Sequence, residues 1–329
     1  MKETMFDYSN IVDLDEACQV LLSKDNWTIL THHYPDGDTI GSAYALGLGL
    51  KQLGKTVQVI CADMIPQKYD YLTEAVKWDS FEPDNLCAVD VADPNLLGEG
   101  LILYAPRIEL CIDHHASNTH YAKQLLYKNY AAAAMLIYEV LKKMGVTITR
   151  SIAEGLYTGI ATDTGCFRYN NTDALAHRMT AELLEIGIDM NRINRAMFDV
   201  KSRSRLELEQ MAISGIRFDW NGRSAIMAIT NDMLKKTSVD SRDLEGLASL
   251  PRQIEGVWVG VTMREIEDGQ FKTSIRTGPS VNACDIAQPL GGGGHAGAAG
   301  CTLDGPLDAA IEQVLNSIRS AVPAIEEGI

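Results

Sequence analysis

The chain lacks long apolar runs. Its longest apolar stretches, 40–50 and 130–138, fall short of the roughly 20 residues that cross a bilayer as a helix, which excludes a membrane-spanning reading. It has no C-x-x-C pair. The seven cysteines (18, 61, 87, 111, 166, 284 and 301) are odd in number and widely spaced. They read as reduced thiols of a cytoplasmic protein, not as a disulfide framework. The opening residues, "MKETMFDYSNIVDLDEA", are acidic and amphipathic, unlike the basic-then-apolar order of a secretory signal. Positive charge is also scarce. Lys and Arg number 29 against 44 Asp and Glu, a formal charge of −15. Proteins that grip long nucleic acid show a basic face, because phosphate neutralisation drives their binding. The partner is therefore either not a polyanion or a small anion received at a local site. Solenoid-type repeats are absent, as are low-complexity tracts beyond "GGGG".

What is present reads as an ordinary soluble globular protein, with 46% hydrophobic and 22% charged residues. A length of 329 residues leaves room for two domains. In the first half, "WTILTHH" (27–33), "TVQVICA" (56–62), "LCAVDVA" (86–92) and "ELCIDHH" (109–115) predict strands. Helical patterns cover 39–53, 67–76, 131–144, 152–161 and 173–186. Such alternation implies an α/β fold, a mostly parallel sheet flanked by helices, with ligands beyond the carboxyl ends of the strands. A polar helical stretch over 191–210, rich in arginine, reads as the connector. After it, 223–229, 257–265 and 271–277 predict strands of a smaller α/β domain covered by helices near 241–253 and 306–322. The expected division is a first domain over 1–190, a linker helix over 191–214 and a second domain over 215–329.

The predicted strand ends carry the chemistry. They hold His32, His33, Asp36 and Asp38, then Asp90, then Asp113, His114 and His115, and Asp163 follows in "TDTG". Carboxylates this close are costly unless a cation or a hydrogen-bond network compensates them. Oxygen and imidazole donors without thiolate suit Mn²⁺ or Mg²⁺, with Zn²⁺ or Co²⁺ as alternatives. The set suffices for two ions if one carboxylate bridges them. Two ions about 3.5–4 Å apart activate a water and stabilise the leaving oxygen of a displacement at phosphorus. Asp163 also fits a helix N-cap, and His33 reads as a packed or exposed neighbour. In the second half, consecutive glycines let backbone N–H groups approach an anion.

"HHYPDGDTIGS", "VDVAD", "DHH" and "TDTG" resemble, in order, the four motifs of the DHH phosphoesterase superfamily. "GGGGHAGAAG" (291–300) resembles the signature of its associated C-terminal domain. The likeness spans nearly the whole chain and is most similar to the NrnA branch, the bifunctional oligoribonucleases and 3′-phosphoadenosine-5′-phosphate (PAP) phosphatases. The resemblance implies one ion on His32, Asp36 and Asp90 and a second on Asp38, Asp90, His114 and Asp163, with Asp90 bridging. It implies catalytic roles for His115, facing the scissile phosphate, and for Asp113, orienting the histidines. Arg276, Gly293, Gly294 and His295 would grip substrate phosphate, with Arg168 a weaker candidate. The implied cofactors are two divalent ions, Mn²⁺ first, with Mg²⁺ or Co²⁺ as alternatives.

The implied activity is degradation of two- to five-nucleotide substrates to mononucleotides, with PAP phosphatase activity. The alternative is cleavage of cyclic dinucleotides or of linear dinucleotides of the pApA type. Expected partners are short oligonucleotides or small nucleotides, not long nucleic acid or membrane, and a homodimer is left open. One departure stands out. Members often carry Ser or Thr at the start of the helix after DHH, whereas residues 131–134 here are alanines.

Overall fold

Short apolar runs become strands and amphipathic runs become helices in the computed structural model, which describes residues 10–322 except 75, 240–243 and 245. The chain divides at Val200/Lys201 into two units. In the first, α1 (Leu14–Ser23) opens on a capping box. Asp13 accepts from the Glu16 N–H, and the Glu16 carboxylate accepts from the Asp13 N–H, both at 2.9 Å. There follow β1 (Trp27–Leu30), α2 (Gly37–Gln52), β2 (Val57–Ile60), α3 (Asp70–Thr73), β3 (Asn85–Val89), β4 (Ile108–Asp113) and β5 (Gln124–Tyr127). Helices α4 (Ala133–Lys143), α5 (Arg150–Asp163), α6 (Ala174–Glu185) and α7 (Met190–Asn194) complete the unit. The strands form one parallel sheet in the order β2-β1-β3-β4-β5. Every residue of β1 is buried, as a strand covered on both faces requires. Four strands match the sequence reading, while β5 is additional. The helix expected over 67–76 is a 3-10 turn, Gln67–Tyr69, followed by the single turn of α3.

This strand order makes β1 and β3 neighbours whose outgoing connections lead to opposite sides, opening a crevice beyond their carboxyl ends. Two helices are set against it by backbone contact. A Cβ on Gly41 of α2 would stand 2.2 Å from the Gly155 carbonyl oxygen, and one on Gly155 of α5 would stand 2.7 Å from the Gly41 oxygen. Only glycine permits that approach at both positions. It lays the start of α2 beside the end of α5, with Gly37 against Thr162. The Thr39 hydroxyl then ties α2 to the Val89 carbonyl at the end of β3, at 3.1 Å. Beneath this lies the main core, in which Trp27, Ile29, Leu46, Leu50, Leu136 and Leu156 have no exposed surface. Each such side chain contributes about 1.5–3 kcal/mol by leaving water.

The stretch 191–214 is not one helix. It runs from α7 through a π-helical turn, Arg195–Asp199, to α8 (Arg203–Ser214). The second unit continues with β6 (Arg217–Asp219), β7 (Ser224–Ile229), α9 (Asn231–Thr237), β8 (Val259–Glu267) and β9 (Gln270–Thr277). It ends with α10 (Ala283–Ala287), β10 (Gly293–His295), β11 (Ala298–Asp304) and α11 (Leu307–Ala321). Its sheet runs β10-β11-β9-β8-β7-β6, with β7 and β8 parallel and the other described pairs antiparallel. One face packs on α10 and α11 through Val261, Met263, Ile275, Ile311 and Val314. The other is covered over β7 by α8, where Met227 and Ile229 meet Leu208 and Ala212. Of the helix expected near 241–253, residues 241–243 and 245 lie outside the described residues, and the remainder forms 3-10 turns, Leu247–Ser249 and Pro251–Gln253. Among the described residues, no helix is long and apolar enough to cross a membrane.

Candidate metal centre

Asp36 is the N-cap of α2, and its Oδ1 accepts from the Asp38 and Thr39 N–H groups at 3.0 Å each. That same oxygen stands 3.6 Å from His32 Nε2, just beyond β1. Asp90 follows β3 in a left-handed conformation (φ +61°), held by its N–H to the Ile112 carbonyl at 2.9 Å. Left-handed backbone in a non-glycine residue costs about 1–2 kcal/mol and persists where surroundings or function impose it. Here it turns the carboxylate into the crevice. Oδ2 lies 3.7 Å from His32 Nε2, and Oδ1 lies 3.4 Å from His114 Nε2. Asp163 Oδ2, 3.3 Å away, and Asp38 Oδ2, 3.8 Å away, also face His114 Nε2.

These separations exceed good hydrogen-bond lengths. Donors about 2.0–2.2 Å from a shared ion stand about 3.0–3.5 Å from each other; the 3.3 and 3.4 Å separations at His114 fall in that range, and those of 3.6, 3.7 and 3.8 Å lie just beyond it. Asp90 Oδ1 and His114 Nε2 are buried without any hydrogen bond. Both histidines use Nδ1 elsewhere. His32 Nδ1 meets the His33 carbonyl at 2.8 Å, and His114 Nδ1 meets the Tyr130 carbonyl at 3.0 Å. A carbonyl can only accept, so Nδ1 carries a proton, and Nε2 is the ring atom turned to the carboxylates and left for a metal ion once it is deprotonated. Orphaned buried atoms and an all-oxygen-and-imidazole donor set fit divalent ions. Among the described residues, three groups of donors lie close enough for an ion, His32–Asp36–Asp90, Asp38–His114–Asp163 and Asp90–Asp113–His114–His115; Asp90 belongs to the first and third and faces His114 of the second.

The electrostatics show the same unmet demand for cations. Burial, with the Asp90 charge beside it, pushes the Asp38 carboxyl up to about 7. Burial and the Asp38 and Asp90 charges drive Asp163 well above the carboxylate range. Burial alone would lower His32 and His114, yet the facing carboxylates overcome it and hold them up to about 11 and about 10. Asp163 does not end a strand or cap a helix N-terminus. It is the last residue of α5, where the helix dipole disfavours a carboxylate.

Asp113 has a different setting. Its Oδ1 accepts from His115 Nδ1 and from the His114 N–H, both at 2.8 Å, and its Oδ2 accepts from Asn118 Nδ2 at 2.6 Å. With both oxygens engaged it holds the histidines. Asn118, five residues on, was not singled out from the sequence. The alanine run is explained by Asp38. The N-terminus of α4 has no side-chain cap of its own, and the Asp38 carboxylate accepts from the Ala133 and Ala134 N–H groups at 2.5 and 2.9 Å. Residues 131–134 are all buried, so no room is left there for larger side chains.

The remaining candidates are not among these donors. His33 packs against Tyr34, with ring centroids 4.1 Å apart and the planes tilted by 42°. Arg168 is exposed and folds back to donate from Nε to the Gly165 carbonyl at 2.6 Å. Arg276, Gly293, Gly294 and His295 belong to the second unit. There Ala298 pairs with Arg276 on one side and with His295 on the other, so both side chains share one sheet face. The glycines are steric as well as permissive. A Cβ on Gly294 (φ +147°) would stand 2.5 Å from the Ala298 oxygen, and one on Gly292 would stand 2.1 Å from the Gly300 oxygen.

Comparison with known proteins adds independent findings. Residues 26–160 match the DHH family, N-terminal domain, and residues 222–324 match the DHHA1 domain. A bifunctional oligoribonuclease and PAP phosphatase, NrnA, from Thermus thermophilus is 34% identical over 308 residues, 88% of each chain. A crystal structure of an exopolyphosphatase-related protein from Bacteroides fragilis superposes with a TM-score of 0.83 at 24% identity, covering 97% of this chain and 98% of that one. RecJ of Thermus thermophilus in complex with Mn²⁺ shares the fold at a TM-score of 0.50 and 18% identity, over 94% of this chain and 55% of that one.

Proposed function

Because the chain belongs to the DHH family and carries a DHHA1 domain behind its DHH domain, we propose that it is a divalent-metal-dependent phosphoesterase of short oligonucleotides. It degrades substrates of two to five nucleotides to mononucleotides and removes a phosphate from PAP, a reading supported by its likeness to the Thermus bifunctional oligoribonuclease and PAP phosphatase. The observation that carries this reading is Asp90, a buried carboxylate facing His32 with one oxygen and His114 with the other, the latter without a hydrogen bond. One ion is assigned to His32, Asp36 and Asp90, and the other to Asp38, Asp90, His114 and Asp163. Mn²⁺ is the ion we assign, supported by the donor chemistry and by the Mn²⁺-bound RecJ relative.

When bound, two such ions supply positive charge at the phosphate oxygens and a water of lowered pKa. The chain's own residues do the rest. Backbone N–H groups fix both carboxylates before any ligand arrives, those of Asp38 and Thr39 holding Asp36, the N-cap of α2, and those of Ala133 and Ala134 holding Asp38. Asp113 locks the His115 ring through Nδ1 and keeps a proton there, and the half-exposed ring presents Nε2 to the substrate. The Asp113 charge raises the His115 pKa against the opposing effect of burial, so the ring can donate to the phosphate as charge develops. Residues 1–190 are assigned the catalytic role, 191–214 the connection, and 215–329 the substrate grip through Arg276, Gly293, Gly294 and His295. The seven unpaired thiols support a reducing, cytoplasmic compartment.

The test is a length series of 5′-labelled oligonucleotides, dinucleotide to about 24-mer, with Mn²⁺ at fixed salt. The acidic surface (−15) gives phosphates outside the site little attraction, so kcat/KM should fall as length grows. Equal and processive cleavage of the longest strand would refute the short-substrate reading.

A further inference from the structure

On the sheet of the second unit, Arg252 lies where two glycines leave room for it. A Cβ on Gly260 would stand 2.6–3.0 Å from the Arg252 N, Cβ and Cα atoms, and one on Gly278 would stand 2.9 Å from Arg252 Nη2. The residue therefore lies across Gly260 of β8 and reaches along the sheet towards Gly278. Gly260 pairs directly with Arg276 of β9, and Arg276 pairs with Ala298, which pairs with His295. Directly paired residues project to one face. Arg252, Arg276 and His295 thus share one face. Gly278 is two residues beyond Arg276, about 6.7 Å along the strand direction.

Arg252 has no ion-pair or hydrogen-bond partner among the described residues, and its Nε is buried. That is unexpected in a chain where acids outnumber Lys and Arg by 44 to 29. Buried arginine donors are ordinarily satisfied, because an unpaired one loses its bonds to water without replacement. Beside it opens a cavity of about 120 Å³, lined by Arg252, Trp258, Gly278, Pro279, Ser280 and Val281, with no carboxylate among them. Its aromatic wall is fixed. The Arg223 guanidinium lies 4.7 Å from the Trp258 ring, and Trp220 packs edge-on to it at 5.7 Å.

We infer that Arg252 and the 278–281 turn form a second phosphate subsite, beside Arg276. The cavity is far below the roughly 300–1,000 Å³ of a site for a whole small-molecule ligand, so it accepts a group and not an entire nucleotide. A planar guanidinium without an acidic partner selects a tetrahedral or planar anion through paired N–H donors. The inference rests on the reading of the chain as a phosphoesterase of small nucleotides, and it adds a specificity. Nucleotides carrying a phosphate besides the one cleaved, such as 3′,5′-bisphosphates, are distinguished from those without it.

The experiment reads binding alone. The full-length, metal-free protein is titrated calorimetrically with a nucleoside 3′,5′-bisphosphate and with the corresponding 3′-monophosphate, which lacks the phosphate that is not cleaved. Arg252→Met should weaken the bisphosphate about 10- to 100-fold and leave the monophosphate within about twofold. Arg252→Lys should recover part of the loss, since it restores charge but not the fork. Gly278→Ala keeps Arg252 and guards against a folding defect, and its Cβ should displace the guanidinium and give the same selective loss. Equal losses for both ligands, or an unchanged bisphosphate affinity in Arg252→Met and Gly278→Ala, would overturn the subsite. Turnover is measured separately. A wild-type protein that binds selectively but cleaves no nucleotide refutes the phosphoesterase reading alone. An active wild type whose Arg252 variants keep their preference refutes the subsite alone.

Discussion

Gly159→Ala is the perturbation that reaches furthest into the metal centre without touching a ligand. Gly159 lies on α5, one turn before Asp163, and its missing side chain faces α2 and α4. A Cβ there would stand 2.5 Å from Asp38 Oδ1 and 2.7 Å from the Ala134 Cβ. Ordinary contact begins near 3.4 Å, so something must move by about 0.5–1 Å. The Asp38 carboxylate cannot yield freely, because the Ala133 and Ala134 N–H groups and the Ser42 hydroxyl at 2.9 Å all donate to it. Ala134 is itself buried at the start of α4. Overpacking of this kind costs about 1–3 kcal/mol. In a unit of about 200 residues, each kcal/mol is about 2–4 °C, so Tm should fall by about 2–12 °C.

The functional loss should exceed what that destabilisation explains. A displacement approaching 1 Å removes Asp38 from the donors facing His114, so one of two metal affinities should fall about 10- to 100-fold. The site built on His32 and Asp36 should hold its ion. The assay is a two-site Mn²⁺ titration alongside calorimetric unfolding, well below the variant's Tm. A variant with the expected Tm loss and both wild-type affinities would refute the assignment of Asp38 as a ligand. One with wild-type Tm as well would refute the packing argument.

Three further outcomes are expected. Asp90→Asn should keep the fold, since asparagine tolerates left-handed backbone, but lose at least about 10³-fold in kcat and the thermal stabilisation by Mn²⁺, about 2.7 kcal/mol at 100 times Kd in wild type. Near-wild-type turnover at saturating Mn²⁺ would refute the bridging role. In the metal-free protein His32 and His114, held up to about 11 and about 10, are protonated at neutral pH. Because both Nε2 atoms must lose a proton to bind a cation, and the raised Asp38 and Asp163 carboxyls must ionise as well, metal uptake should release at least two protons, and affinity should rise with pH. Calorimetric titrations in buffers of different protonation enthalpy measure this, and no release at pH 7 would contradict it. Arg276→Ala and His295→Ala should raise KM for a 5′-phosphorylated dinucleotide and leave bound metal unchanged. Loss of metal from a folded variant would break the division of labour between the units.

Much of the architecture was legible because it is written locally. The strands preceding His32, Asp90 and Asp113 are apolar runs stopped by polar residues, and a buried parallel sheet needs little else. Asp36 is likewise local, an N-cap two residues from the N–H group it accepts. The four-residue β5 was missed, since "QLLY" is too short to show a period.

Asp163 shows where local reading stops. The helical pattern over 152–161 stops short of it and "TDTG" fits a helix N-cap, yet Asp163 is the last residue of α5, whose position is set by glycine contacts at 41 and 155, more than a hundred residues apart. The alanines at 131–134 looked like the loss of a hydroxyl. The missing cap is supplied by Asp38, 95 residues earlier, and the alanines are what that approach demands. A carboxylate that caps one helix from the first turn of another is held by backbone dipoles from two directions before any cation arrives. The same geometry denies it solvent and raises its pKa. Substituting serine at Ala133 would not restore a family hydroxyl contact. It would place a polar group in fully buried space beside Asp38, and the cost would appear as lost stability and lost metal together.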